Sequence, residues 1–384
     1  MQITLYLFFI SLNNILTEKI ISFKFNYISG SYYSSIGIGE PSQSKLFGFN
    51  MGYDYTWSGT IPIFQISISK TRYIEENKKR TLNLYCDYRE TEGTPIVDRL
   101  NIETRGGITV IIDNYTIYGV SNNDISISDS IGLSRTILNN ENSFVTAFKK
   151  KGLIDNLGFG FSAIDFNEGD LYLGGINNYK FLQYPAKFSC NIKENIPYWG
   201  CGMTKIRIGN NKIIDSNYYA MFQVNQSFII APDIILSQLN ETIFKPFIKD
   251  KTCHYYEYPG AKNFICKCDT IERIPDITFF FNNQGVKFKA KHLFEQYGIN
   301  CKFNIVGAEW NSPFFVLGSY FIQRFLSYFD FETKTVSLYS SEEFETLNSS
   351  SIYFNYKSIV LLYIITDFMM CIGLFHLIYK TIKK

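Results

Sequence analysis

The sequence predicts an all-β body made of two duplicated lobes, followed by one C-terminal transmembrane helix. Three observations carry that prediction. Short aromatic or alternating runs recur between turn residues, among them "YYSSIGIG", "FQISISK", "GITVIID", "NLGFGFSAI", "GDLYLGG", "DITFFFN" and "LSYFDFETKTVSLYS". A hydrophobic-hydrophobic-Gly triplet occurs twice, ending at Gly132 in "SIGLS" and at Gly318 in "FFVLGSYF", and each copy follows a similar strand-turn segment, "LFGFNMGY" and "YAMFQVNQS". Near the end, "SIVLLYIITDFMMCIGLFHLI" is long and apolar enough to cross a bilayer.

Taken in order, the chain opens on "MQITLYLFFISL", whose apolar core has the length of a secretory h-region but no basic n-region before it. Residues 1–22 are read as a signal peptide, 23–185 as the N-terminal β lobe and 186–345 as the C-terminal β lobe. A linker at 346–357, the transmembrane helix at 358–379 and a cytosolic tail at 380–384 complete the plan. Lys380, Lys383 and Lys384 suit a cytosolic flank. Asp367 costs ~2.5–3.5 kcal/mol at mid-bilayer, which the other apolar residues outweigh. A GPI signal beginning near Asn348–Ser351 fits the lysine ending less well. Only two body segments have a helical pattern, Asn142–Ile154, with Lys149–Lys151 at its solvated end, and Pro232–Phe244.

The net charge of +2 leaves no electrostatic footprint for nucleic acid. Of the eight cysteines, seven lie before the apolar segment; in a lumenal body such cysteines read as disulfides, and none of the spacings makes a zinc pattern. Cys190 and Cys201 bracket a short loop. Cys253, Cys266, Cys268 and Cys301 form two bridges, with three connectivities open, while Cys86 is left over and Cys371 falls in the apolar segment. Sequons at Asn114, Asn240 and Asn348 are glycosylation candidates; a fourth, at Asn225, falls on a loop expected to be buried. His254, His292 and His376 are too scattered for a metal site, and there is no P-loop, dinucleotide fingerprint or serine-nucleophile elbow. No cofactor is expected.

From Phe25 to Ser341 the ordered motifs resemble the pepsin-like aspartic proteases, the bilobal A1 family. "YYSSIGIGEPSQ" is similar to that family's first strand and turn, "DLYLGGINNYKF" to its central hairpin, and "CDTIERIPDITFFFN" and "FFVLGSYFIQRFLSYFDFETKTVSLY" to its closing segments. In the register of this resemblance the two catalytic aspartates fall on Asn50 and Gln223. The hydroxyl residues after them become Met51 and Val224, and the loop glycines become Gly52 and Asn225. Tyr53 and Gln226 follow, and Trp57 keeps the family's tryptophan. A flap tyrosine is expected near Glu103–Arg105 and is not found there.

The family's chemistry needs two carboxyls that share a proton, one accepting from water while the other donates to the peptide carbonyl. A carboxamide has no such proton. The resemblance with both acids replaced therefore implies a pseudoprotease, in which Asn50 and Gln223 hydrogen-bond to each other at the cleft floor. Gly52, Tyr53, Trp57 and Asn225 are its candidates for binding a peptide or protein in the cleft. One alternative is an active endopeptidase using a noncanonical pair, Asp54 with Asp215. The other is a purely structural surface protein whose cleft has filled in.

Overall fold

The computed structural model describes residues 19–28, 30–59, 69–75, 78–83, 90–120, 129–135, 143–163, 167–176, 178–193, 196, 198–210, 212–258, 261–308 and 314–346. The signal peptide up to residue 18, residues 64–68 of "FQISISK", Cys86, the linker beyond 346, Asn348, the transmembrane helix and the tail lie outside them. Among the described residues no helix is long and apolar enough to cross a membrane. Ile21 and Ser22, placed at the end of the leader by the sequence, already belong to the first strand, opposite Leu173 and Tyr172.

Period-two patterning makes the strands. In Ile21–Ile28, Phe23 and Phe25 are buried while Lys24 and Asn26 between them face solvent. This strand pairs on one side with Glu168–Leu173 and on the other with Ser31–Ile38. Among the described residues the strands gather into two large sheets, of fourteen and twelve strands.

Each sheet contains the same four-strand device. In the first, Gln43–Asn50 runs parallel to Ser130–Gly132. Thr56–Gly59 lies antiparallel on the other side of Ser130–Gly132 and parallel to Thr109–Val120. In the second, Lys212–Phe222 runs parallel to Phe314–Leu317, and Ile229–Pro232 lies antiparallel to Phe314–Leu317 and parallel to Ile305–Ala308. The identical succession of senses is the duplication that the Gly132 and Gly318 triplets foreshadow.

The halves share their backbone. Three strands of the C-terminal half, Ala186–Asn191, Leu326–Asp330 and Thr335–Ser340, join the first sheet, and Leu326–Asp330 pairs directly with Gly158–Ala163. Phe159 stacks on Phe329 with ring centroids 4.9 Å apart. Trp199, fully buried against both rings, donates from Nε1 to the Leu133 carbonyl at 2.7 Å. One apolar core runs through both halves, and the compact unit they form ends at Glu345.

The helices are shorter or longer than their patterns suggest. The first covers only Phe144–Lys150 and ends on Lys149 and Lys150, whose charge suits its C-terminus. The second begins at Asp233 and runs past the expected stop through a wider turn at Asn240–Phe244 into Lys245–Lys249. Pro246 does not end it, because it falls in the first turn of the last segment, where a missing N–H breaks no bond.

Among the described residues three disulfides are present: Cys190–Cys201, Cys253–Cys266 and Cys268–Cys301. Cys253 and Cys266 face each other across a hairpin, which settles one of the three open connectivities.

Candidate functional site

The two strands that run parallel to the glycine triplets end on the residues of interest. Asn50 closes Gln43–Asn50 opposite Gly132, and its carbonyl accepts from Leu133 N at 2.7 Å. Gln223 follows Lys212–Phe222 directly, and its N–H donates to Leu317 O at 3.0 Å. Each chain then turns over the glycine of its own half. A Cβ on Gly132 would sit 2.6 Å from Tyr53 O, Tyr55 N and Tyr55 O, and one on Gly318 would sit 2.2 Å from Phe228 O and 2.4 Å from Gln226 O. Both loops rest on bare backbone, so only glycine fits beneath them.

Asn50 and Gln223, 6% and 2% exposed, converge on Gly52. A Cβ there would lie 3.0 Å from Gln223 Nε2 and 3.1 Å from Asn50 Oδ1. The expected amide-to-amide hydrogen bond is not the contact that forms. Asn50 Oδ1 accepts from Gly52 N at 2.7 Å, within its own loop, and Gln223 Oε1 is buried with no partner. The short asparagine side chain reaches its own backbone first, as Asx turns do.

Met51 and Val224, both 0% exposed, lie in the core that runs through the two halves. Apolar packing occupies the places after Asn50 and Gln223. Asn225 is exposed rather than buried, and its carbonyl accepts from Ser31 Oγ at 3.1 Å. Its turn holds without a positive φ, so asparagine stands there without strain.

Tyr53 and Trp57, 8% and 3% exposed, do not line an open groove. They form a small separate cluster with Tyr55, Leu82 and Val120, Trp57 standing edge-on to Tyr53 at 5.1 Å. Leu82 belongs to the short strand Arg80–Asn83, which forms a hairpin with Glu90–Glu103. Residues 84–89, between these two strands in the sequence, lie outside the described residues and include Tyr85 and Tyr88.

The turn holding Glu103–Arg105 is a different one, made by the far end of the same long strand. It is fastened to the first strand, with Arg105 N donating to Ser22 O at 2.8 Å and its guanidinium 3.3 Å from Asp170. Glu103–Arg105 thus serves the first strand, while the strand pair that packs Leu82 on Trp57 is a separate one. A single strand of fourteen residues serves two turns, and spacing alone did not tell them apart.

The two alternative carboxylates stand in different settings. Asp215 is exposed on its strand opposite Lys205, eight residues before Gln223, and so about 26 Å along an extended chain from it. Asp54 acts on Tyr115, whose hydroxyl pKa is pushed up chiefly by burial and further by that carboxylate, against a 2.6 Å hydrogen bond to Thr56. Among the described residues no cluster of His, Cys, Asp or Glu could hold a metal ion.

Of the glycan candidates, Asn114 is exposed at a bulge with φ 58°, while Asn240 is half-buried and its Oδ1 is buried without a partner. Three disulfides fit an oxidising, extracellular or secretory setting for the body.

Comparison with known proteins agrees with the architecture. The family described as eukaryotic aspartyl protease matches residues 31–340. Aspartic protease Bla g 2 of Blattella germanica is 24% identical over 177 residues. That match covers 46% of this chain and 46% of the relative, so the chain spans about half the length of the relative it matches. With the family matched over most of its length and both lobe devices in place, the chain belongs to the eukaryotic aspartyl proteases.

Proposed function

We propose that this chain is a catalytically inactive aspartyl protease homologue, anchored by its C-terminal apolar segment, that binds a peptide or protein partner in the cleft between its lobes. One observation carries the reading: the two equivalent strand ends place carboxamides, Asn50 and Gln223, against the same glycine. Peptide hydrolysis of this kind needs one group that takes a proton and one that gives it, and neither side chain does either near physiological pH. Asp215, exposed and eight residues before the buried Gln223, supports the same reading, because it does not stand at the strand end where the second acid is needed.

Burial of Tyr53 and Trp57 favours a second reading, a structural surface protein with no bound peptide. The two differ in whether the cleft takes up an extended peptide.

The purified full chain in detergent is expected to cleave no member of a mixed peptide library between pH 2 and pH 7. Cleavage that pepstatin inhibits, and that Asn50→Ala or Gln223→Ala abolishes, would sink the proposal. Enrichment of uncut peptides on the immobilised chain separates the binding reading from the structural one.

A further inference from the structure

Of the sequons in the chain, the one at Asn225-Gln226-Ser227 sits where a modification changes most. Asn225 comes two positions after Gln223, so their backbones lie within about 7 Å of each other. Gln226 N donates to Gln223 O at 3.4 Å, closing a turn with Val224 and Asn225 at its corners. The two corners part ways. Val224 is 0% exposed in the core, and Asn225 is exposed.

All three residues of the sequon are fastened through their carbonyls. Asn225 O accepts from Ser31 Oγ at 3.1 Å, Gln226 O from Ser319 N at 2.6 Å and Ser227 O from Tyr320 N at 3.1 Å. The Asn225 carboxamide, by contrast, has no hydrogen-bond partner among the described residues. A free side chain at the corner of a held turn takes a substituent without breaking a native contact. Asn240, half-buried with its Oδ1 enclosed, has no such freedom.

We propose that Asn225 carries an N-linked sugar, and that this sugar caps the floor of the cleft. The donor is a lipid-pyrophosphate-linked oligosaccharide of an oxidising secretory compartment, the setting that the three disulfides fit. Asn225 Nδ2 bonds to the anomeric carbon of the sugar. The bond from that carbon to the pyrophosphate oxygen breaks, and one Nδ2 proton passes to the departing lipid pyrophosphate.

The Ser227 hydroxyl, which the transferase must read, lies over Gly30 so closely that only glycine fits beneath it. Attachment therefore precedes folding, and the chain folds with the sugar already beside Gln223. The first sugar alone is bulkier than any side chain. Chains that escape attachment present an open floor, so the modification divides the protein into a closed form and an open one. The capping rests on the cleft being a peptide site; the attachment does not.

The test uses the full chain, made in eukaryotic cells and purified from their membranes in detergent. Its proteolytic peptides are treated in heavy-oxygen water with an amidase that releases N-linked sugar and leaves a heavy aspartate at each site. Mass spectrometry is expected to find that label at position 225, and to lose it there, but not at Asn114, in Ser227→Ala. An Asn225 that is unmodified in every copy overturns the proposal. Peptide-library uptake is then expected to be absent in the glycosylated parent and present in Ser227→Ala. If that variant does not fold, release of the sugar from the folded parent makes the same comparison. Equal uptake by the two forms overturns the capping. If neither form takes up peptide, the binding reading of the cleft falls with it, while the mapped sugar stands.

Discussion

Two side chains decide the chemistry. Asn50 and Gln223 occupy a place where carboxyls would feel each other strongly, since both lie against Gly52 in a buried floor. Replacing both, Asn50→Asp with Gln223→Asp, sets two acids side by side out of water, which raises at least one pKa. A carboxyl with a raised folded pKa stabilises below its unfolded value near 4 and loses that contribution as pH rises. The double variant is therefore expected to lose about 1 kcal/mol or more of stability relative to the parent between pH 4 and pH 7. Urea unfolding at several pH values reads the difference, and parallel curves for the two proteins would show that the acids do not meet. The register that found these positions was legible because the flanking "LFGFNMGY" and "YAMFQVNQS" have strong strand patterns. Their hydrogen bonds were not legible, because Asn50 choosing Gly52 N over Gln223 is a matter of side-chain reach.

Hairpins and bridges are the next scale. The sequence marked strands well where polar and apolar residues alternate, as in Ile21–Ile28, and poorly where one strand takes part in two turns, as in Glu90–Glu103. The helical pattern read as ending at Phe244 continues to Lys249, through a wider turn that has no pattern of its own. Disulfide partners were left open by spacing and fixed by the register of Cys253 with Cys266. The bridges differ in the loop they close: Cys190–Cys201 spans 11 residues and Cys268–Cys301 spans 33. In the chain-entropy account, removing the first by paired serine substitution costs about 3 kcal/mol and removing the second about 4 kcal/mol. Denaturant midpoints of the two double variants check the order, and a larger loss for the shorter loop would contradict it.

For the molecule as a whole, the two-lobe plan was the most legible feature, because a duplicated glycine triplet is hard to produce otherwise. Burial also fixes how the protein meets alkali. Tyr32, Tyr115, Tyr172 and Tyr219 all hold their protons above the ordinary value of 10.0, each mainly through burial, with Tyr219 raised to about 12. Their contribution is complete below pH 10 and falls as pH rises, because the unfolded chain ionises first. Phenolate absorbance from these rings should appear together with loss of secondary structure, as one cooperative step. Ionisation well before unfolding would mean that the rings are accessible to solvent in the native state.

Gly132 and Gly318 carry a broader consequence. The path of the cleft floor is dictated by main chain lying on main chain, so it owes nothing to which functional group stands at its tip. Reactivity and form are uncoupled there. Under the proposed reading, a carboxamide and a carboxyl can stand on that same path without the surroundings being rebuilt.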